Sequence, residues 1–186
     1  MAVWNYENAA HLLGRVGFGG TPEEVEKFHD RHADEADPIG SAVDEMLSFK
    51  PKPQKPPAKA DDNNDNLDKI KRWWLKKMIK AKKPADQCYE KLILFFHNFL
   101  VSGASKQRDY RLLAYQHRLF RMHVNANYRE FLREFNRDGA NLFYLDGIIN
   151  NYSKAQNLGG GVRIVNANEN FGREVLELFS LGPFQF

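Results

Sequence analysis

The sequence predicts an all-α fold, an irregular multi-helix bundle around one central, buried apolar helix. Three observations lead there. Helix start and stop signals recur along the chain while period-two strand patterns are scarce. The stretch 85–101 is apolar around nearly its whole circumference, and the closing stretch 166–182 is a sharply punctuated helix. At 186 residues, with 42% apolar and 27% charged residues, the chain has the length and composition of one globular domain with a real core.

The elements follow in order. Thr21-Pro22-Glu23-Glu24 supplies an N-cap, a proline at the first helical position and a reciprocal glutamate, so a helix starts there. Asp37-Pro38 opens a second, with Ile39, Val43, Met46 and Leu47 spaced for one buried face. Residues 50–66, KPKPQKPPAKADDNNDN, combine prolines that break helices with polar residues that bury little, and read as a flexible surface insertion. The first 49 residues are too few to hold much of a core alone, so the insertion joins two parts of a single helical domain spanning 1–186.

From Leu67 the helical pattern resumes, with Leu67, Ile70, Trp74 and Met78 on one side and lysines elsewhere. Pro84 restarts the chain, and Tyr89, Leu92, Ile93, Leu94, Phe95, Phe96, Phe99 and Leu100 surround the expected central helix. Ser105 is read as the cap of the next helix, running to about Val124. Asn127 with Glu130 makes another capping box, and Asp138-Gly139 starts a short turn through Leu145. Residues 147–165, with Gly159-Gly160-Gly161, form a Gly-rich loop with room for a short extended piece. The last helix has Asn166 as N-cap, Glu169 three residues on, and Gly182-Pro183 as its stop.

The net charge of +3, from 27 basic and 24 acidic residues, does not point to a polyanion partner for the whole chain. A lone cysteine, Cys88, excludes an internal disulfide framework and a multi-cysteine metal knot. Met1 to Arg15 has no charged leader followed by an apolar run, and no apolar stretch is long enough for a transmembrane helix. The chain therefore reads as soluble, although a removed export signal would leave no trace.

Polar residues stand where the helical wheel calls for apolar ones. In the last helix Glu174 falls between Leu178 and Leu181, and Asn168 between Val175 and Phe179, on the predicted inner arc. Glu169, Arg173 and Glu177 form the opposite, solvated stripe. A buried glutamate needs a cation, a donor network or a raised pKa. In the central helix Glu90 and His97 share a stripe two turns apart, about 10 Å, too far to bond yet able to face one cavity. Gln116 and His123 repeat the pattern on the following helix. Three helices thus carry polar residues inward, although each has a plain structural reading as a satisfied core group.

Other signals are weaker. Gly17-Phe18-Gly19-Gly20 lacks the strand before it and the lysine-serine/threonine ending of a phosphate loop, and reads as a tight turn. The helix read as carrying Lys69, Lys71, Arg72, Lys76, Lys77, Lys80, Lys82 and Lys83 beside Trp73 and Trp74 has the chemistry of a nucleic-acid or anionic surface contact. No recognised binding motif accompanies it, so a solvated face is the simpler reading.

The segments HLLGRVGFGGTPEEV (11–25), ILFFHNF (93–99), YQHRLFRMHVNANYREF (115–131), NLFYLD (141–146) and NANENFGREVLELFSLG (166–182) resemble the bacterial family called domain of unknown function 1800. The resemblance runs in order over most of the chain, and its last segment is the most specific. It implies that this is the N-terminal portion of a longer, often exported or periplasmic helical protein that continues past Leu181-Gly182. Ala167 stands where the family commonly has proline and Gly172 where it commonly has alanine; neither change removes Asn168, Glu169, Asn170, Arg173, Glu174 or Glu177. The family has no settled activity, so the resemblance names no reaction.

Two function classes follow, with a third behind them. The first is an enzyme with an inter-helix acid/base or metal site built from His97, Glu90, Glu174, Asp146 and Asn168, able to hold a divalent metal. The second is a structural or protein-binding module in which the same residues fix helix register. The third is nucleic-acid or anionic-surface binding through residues 69–83.

Overall fold

Side-chain caps set most helix starts in the structure, a computed structural model that describes residues 3–58, 64–107, 109–149, 156–157, 162–163 and 169–182. α1 (Tyr6–Val16) follows Asn5, whose side chain accepts the Asn8 N–H at 2.8 Å. α2 (Pro22–Ala33) has both arms of the expected capping box between Thr21 and Glu24. α3 (Pro38–Leu47) follows Asp37, which accepts the Gly40 N–H at 3.0 Å. Between α1 and α2, Gly19 sits at φ +84°, a left-handed conformation that glycine adopts without strain, so the glycine run is the tight turn its sequence implies.

α4 (Asn64–Lys80) and α5 (Pro84–Phe99) come next, then a 3₁₀ turn at Ala104–Lys106 and α6 (Tyr110–His123). α7 (Tyr128–Phe135) and α8 (Gly139–Tyr144) follow, with a second 3₁₀ turn at Gly147–Ile149. In the expected Gly-rich loop, β1 (Gln156–Asn157) pairs antiparallel with β2 (Val162–Arg163), and α9 (Glu169–Glu177) closes the order. The fold is all-α in class, and α5 is its hub, packing on α1, α3, α4 and α6.

The core lies where those faces meet. Ala9 and Leu13 of α1, Phe28 of α2, Met46 of α3, Tyr89 and Ile93 of α5, Phe120 of α6 and Phe131 and Phe135 of α7 join one cluster of buried side chains. Each large apolar side chain so buried contributes roughly 1.5–3 kcal/mol against remaining in water. Cys88 belongs to this cluster, and burial pushes its thiol up to about 11, which leaves it a packing group. Among the described residues no helix is long and apolar enough to cross a membrane.

The structure departs from the sequence reading at four places. Ser105 does not cap α6: Asp109 does, accepting the Arg111 N–H at 3.0 Å while the Arg111 guanidinium closes on its carboxylate. Asn127 caps α7, but Glu130 turns outward to Arg133 at 3.0 Å and does not complete the box. α5 is central without being covered all round, because Phe95 and Phe99 stack on each other in the open. α9 stops at Glu177, short of the expected Gly182, where Ser180 takes the Val175 carbonyl and the Leu181 N–H the Leu176 carbonyl. Asn166 lies outside the described residues.

The described part of 50–66 runs along the bundle at close quarters. Tyr89 Oη accepts the Lys52 N–H at 2.8 Å, Arg118 donates to the Pro53 carbonyl, Lys77 to Gln54, and the Lys55 ammonium lies over the Tyr115 ring. These contacts fasten residues 52–55 across α4, α5 and α6, the three helices that build the site.

Candidate functional site

Helix period decides what α6 turns inward. Tyr110, Ala114, His117 and Arg121 recur at i, i+4, i+7 and i+11, and all four are buried. Arg121 faces α5, where its Nη2 donates to both carboxylate oxygens of Glu90 at 2.7 and 2.6 Å. The guanidinium also lies over the rings of Trp73, at 5.0 Å, and Tyr89, at 5.3 Å. Both members of the pair are almost fully shielded, at 1% and 6% side-chain exposure. A carboxylate in this position neutralises a buried cation and is poorly placed to take a proton from a substrate.

One turn earlier, His117 stands edge-on between two indoles, 5.4 Å from Trp73 and 4.6 Å from Trp74. Neither of its ring nitrogens has a hydrogen-bond partner, and neither does the Trp74 indole N–H. Burial, then the Arg121 charge, then His97, holds the His117 imidazole well below the usual histidine range. It is therefore neutral at pH 7.

His97 of α5 also packs against Trp74, at 4.9 Å, and meets Phe120 edge-on. It hydrogen-bonds no described residue, and burial lowers its pKa as well. His97 and His117 both line a cavity of about 200 Å³ between α4, α5 and α6. Leu67, Ile70, Trp74, Ala104 and Leu113 form its apolar wall; Ser102 and Gln116 supply a hydroxyl and an amide, and exposed Lys71 marks its mouth.

The polar end of the cavity is fixed from behind. Gln116 Nε2 donates to Ser102 Oγ at 2.8 Å and to Asp138 Oδ2 at 2.7 Å. Asp138 also caps α8 by accepting the Asn141 N–H, and burial raises its pKa against these donors. Because Ser102 Oγ accepts from Gln116, its own proton remains available to donate into the cavity.

The sequence-derived residues divide among three places. Glu90 and His97 share a stripe but not a cavity, since Arg121 holds Glu90. Glu174 and Asp146 do come together, lining a separate groove of about 660 Å³ with Lys106, Tyr144, Asn98 and Asn170. Lys106 Nζ lies 3.4 Å from Asp146 Oδ2, and Arg173 Nη2 lies 3.9 Å from Glu174. Glu174 is not enclosed as the wheel implies: its side chain is 23% exposed, and Leu178 and Leu181, expected to bury it, are 53% and 57% exposed. The wheel gives the direction of a face and cannot say what covers it. Asn168 lies outside the described residues. His123 stacks on Phe131 away from the cavity. Among the described residues no group of three His, Cys, Asp or Glu side chains is placed to hold a metal ion.

Residues 11–185, nearly the whole chain, match the family described as Protein of unknown function (DUF1800). The chain belongs to DUF1800. No curated protein and no solved structure matches it. Function in this DUF1800 chain has therefore to be argued from its own cavities and side chains.

Sequence reasoning overlooked four features of the DUF1800 chain. His117, Arg121 and Ser102 are three; the buried i, i+4, i+7, i+11 stripe of α6 is a signal that could have found the first two. The fourth is a chain of contacts from Ser41 Oγ to His32 Nδ1 at 2.9 Å and from His32 Nε2 to Glu45 at 2.8 Å, continued to Arg31. His32 is enclosed by Trp4 and Phe28, which makes this an interlock of α2 with α3.

Proposed function

We propose that this chain carries an enzyme's acid/base site in the α4–α5–α6 cavity, with His97 as the group that exchanges a proton with a small substrate. One observation carries the reading. His97 is an imidazole without a hydrogen-bond partner among the described residues, held neutral by burial, on the wall of a cavity that also presents a serine hydroxyl and a glutamine amide. A neutral imidazole serves as acceptor first and donor afterwards. Gln116 and Asp138 act as positioning residues, orienting Ser102. Glu174 and Asp146, in the neighbouring groove, have no part in this proton transfer.

The test is a screen of the full chain against small esters, amides and enolisable carbonyl compounds, followed by His97→Gln on whichever is turned over. General acid/base catalysis is worth roughly 10²–10⁴-fold, so His97→Gln should cost at least about 100-fold in kcat at unchanged melting temperature. Full turnover in a folded His97→Gln variant would remove the basis of the reading.

A second reading, a structural or partner-binding module, is favoured by the Glu90–Arg121 pair, whose members are both consumed in architecture. It predicts stability losses from polar substitutions with no loss of any activity. Nucleic-acid binding through α4 draws less support, because Trp73 and Trp74 turn toward His117, His97 and Arg121 rather than offering faces on which bases could stack.

A further inference from the structure

We infer that the α4–α5–α6 cavity takes a neutral, single-ring hydroxylic compound of the phenol class, its ring against the Trp74 wall and its hydroxyl between His97 and Ser102. The inference deepens the acid/base reading above and rests on it for the role of His97.

Size, polarity and charge each narrow the ligand. An apolar cavity of roughly 150 Å³ accommodates benzene, so about 200 Å³ fits one six-membered ring with a small substituent. Leu67, Ile70 and Leu113 with the Trp74 indole offer an apolar, partly aromatic wall that suits a flat ring. At the polar end a neutral imidazole can accept a proton, and a serine hydroxyl that already accepts from Gln116 can donate one. A hydroxyl group has the matching chemistry, a proton to donate to an imidazole such as His97 and an oxygen to accept from a hydroxyl such as Ser102, and both side chains line the cavity.

Charged ligands are poorly served. Among the described residues no carboxylate lines the cavity to meet a cation. Lys71, the ammonium at its rim among the described residues, is 66% exposed and faces Asp68 at 3.7 Å, so it gives little to a buried anion. Two further polar groups at the wall, the His117 ring and the Trp74 indole N–H, lack hydrogen-bond partners although buried.

The experiment is a titration of the full chain with phenol, anisole, benzoate and benzylamine, followed by NMR at the Trp74 indole and His97 ring resonances. Phenol should saturate with a Kd on the order of 1 mM or tighter, with the other three at least about ten-fold weaker. Leu113→Phe, which fills the cavity, and Ser102→Ala, which removes the donor, should each weaken phenol by about ten-fold or more. Benzoate or benzylamine binding as well as phenol would overturn the inference, as would absence of saturable phenol shifts or phenol binding unchanged in both variants. The two readings fail separately. Turnover lost with His97→Gln but no phenol binding removes the ligand class alone; phenol binding with turnover intact in His97→Gln removes the acid/base role alone.

Discussion

Replacing Glu90 with glutamine keeps the shape of the side chain and removes its charge, leaving the Arg121 guanidinium, 1% exposed, without an anion. Breaking a buried ion pair from one side costs about 3–5 kcal/mol, because the remaining charge stays desolvated. Glutamine retains one oxygen for Arg121 Nη2, which places Glu90→Gln at the lower end, about 3 kcal/mol. For a chain of this length each kcal/mol lowers the melting temperature by about 2–4 °C, so a drop of roughly 6–12 °C is expected. The double variant Glu90→Met/Arg121→Met removes both charges. It forfeits the contacts of Arg121 with Trp73 and Tyr89, each worth about 0.5–2 kcal/mol, yet leaves no buried charge, and should be milder than the sum of its single substitutions. Urea unfolding of the parent, Glu90→Met, Arg121→Met and the double variant gives the coupling directly. A Glu90→Gln variant within about 1 kcal/mol of the parent would refute the reasoning, since Arg121 would then not depend on that carboxylate.

Three more outcomes follow from the same contacts. His117 has a folded-state pKa below its unfolded value near 6.5, so the unfolded chain binds the extra proton first; the associated stability is complete above that pH and falls away as pH drops through it. The urea midpoint should therefore decline between about pH 7.5 and 5.5, and His117→Phe should flatten the slope; an unchanged slope would contradict a neutral buried His117. Ser41→Ala removes the partner of His32 Nδ1 in the α2–α3 interlock and should cost about 1–2 kcal/mol in chemical unfolding, whereas no change would show the contact to be idle. Gly17→Ala would set a Cβ 2.6 Å from Gln87 Oε1 and 2.8 Å from the Leu13 carbonyl, displacing the bond from Phe18 N–H to Gln87; a loss of about 1–3 kcal/mol by thermal melting is expected, and a neutral result would mean that the α1–α5 contact gives way freely.

The parts of the fold that sequence made legible are local. Thr21, Asp37 and Asn127 cap helices as read, and Asp138, read as the start of a short turn, caps α8, because a cap needs only its own next few residues. Ser105 failed as a cap for the same local reason, Asp109 being the stronger acceptor nearer the helix. The site was half legible. His97 was singled out and does line a cavity, while its stripe partner Glu90 is claimed by Arg121, 31 residues away, a pairing that no spacing within one helix reveals. Glu174 and Asp146 share a groove, as residues from distant segments can, but the burial assigned to Glu174 depended on a covering that Leu178 and Leu181 do not find among the described residues. His117 escaped notice beside Gln116, although its nearness to Trp73 and Trp74 makes it one of the most enclosed polar groups of the site.

The central claim is that His97 is a neutral imidazole open to the cavity and committed to no other residue, and an NMR pH titration of its ring protons tests this without any substrate. A His97 resonance that titrates below 6.5, and moves when phenol is added, is the predicted result. A titration at or above 6.5, indifferent to phenol, would mean that a carboxylate or other acceptor already holds the ring, and would contradict the account.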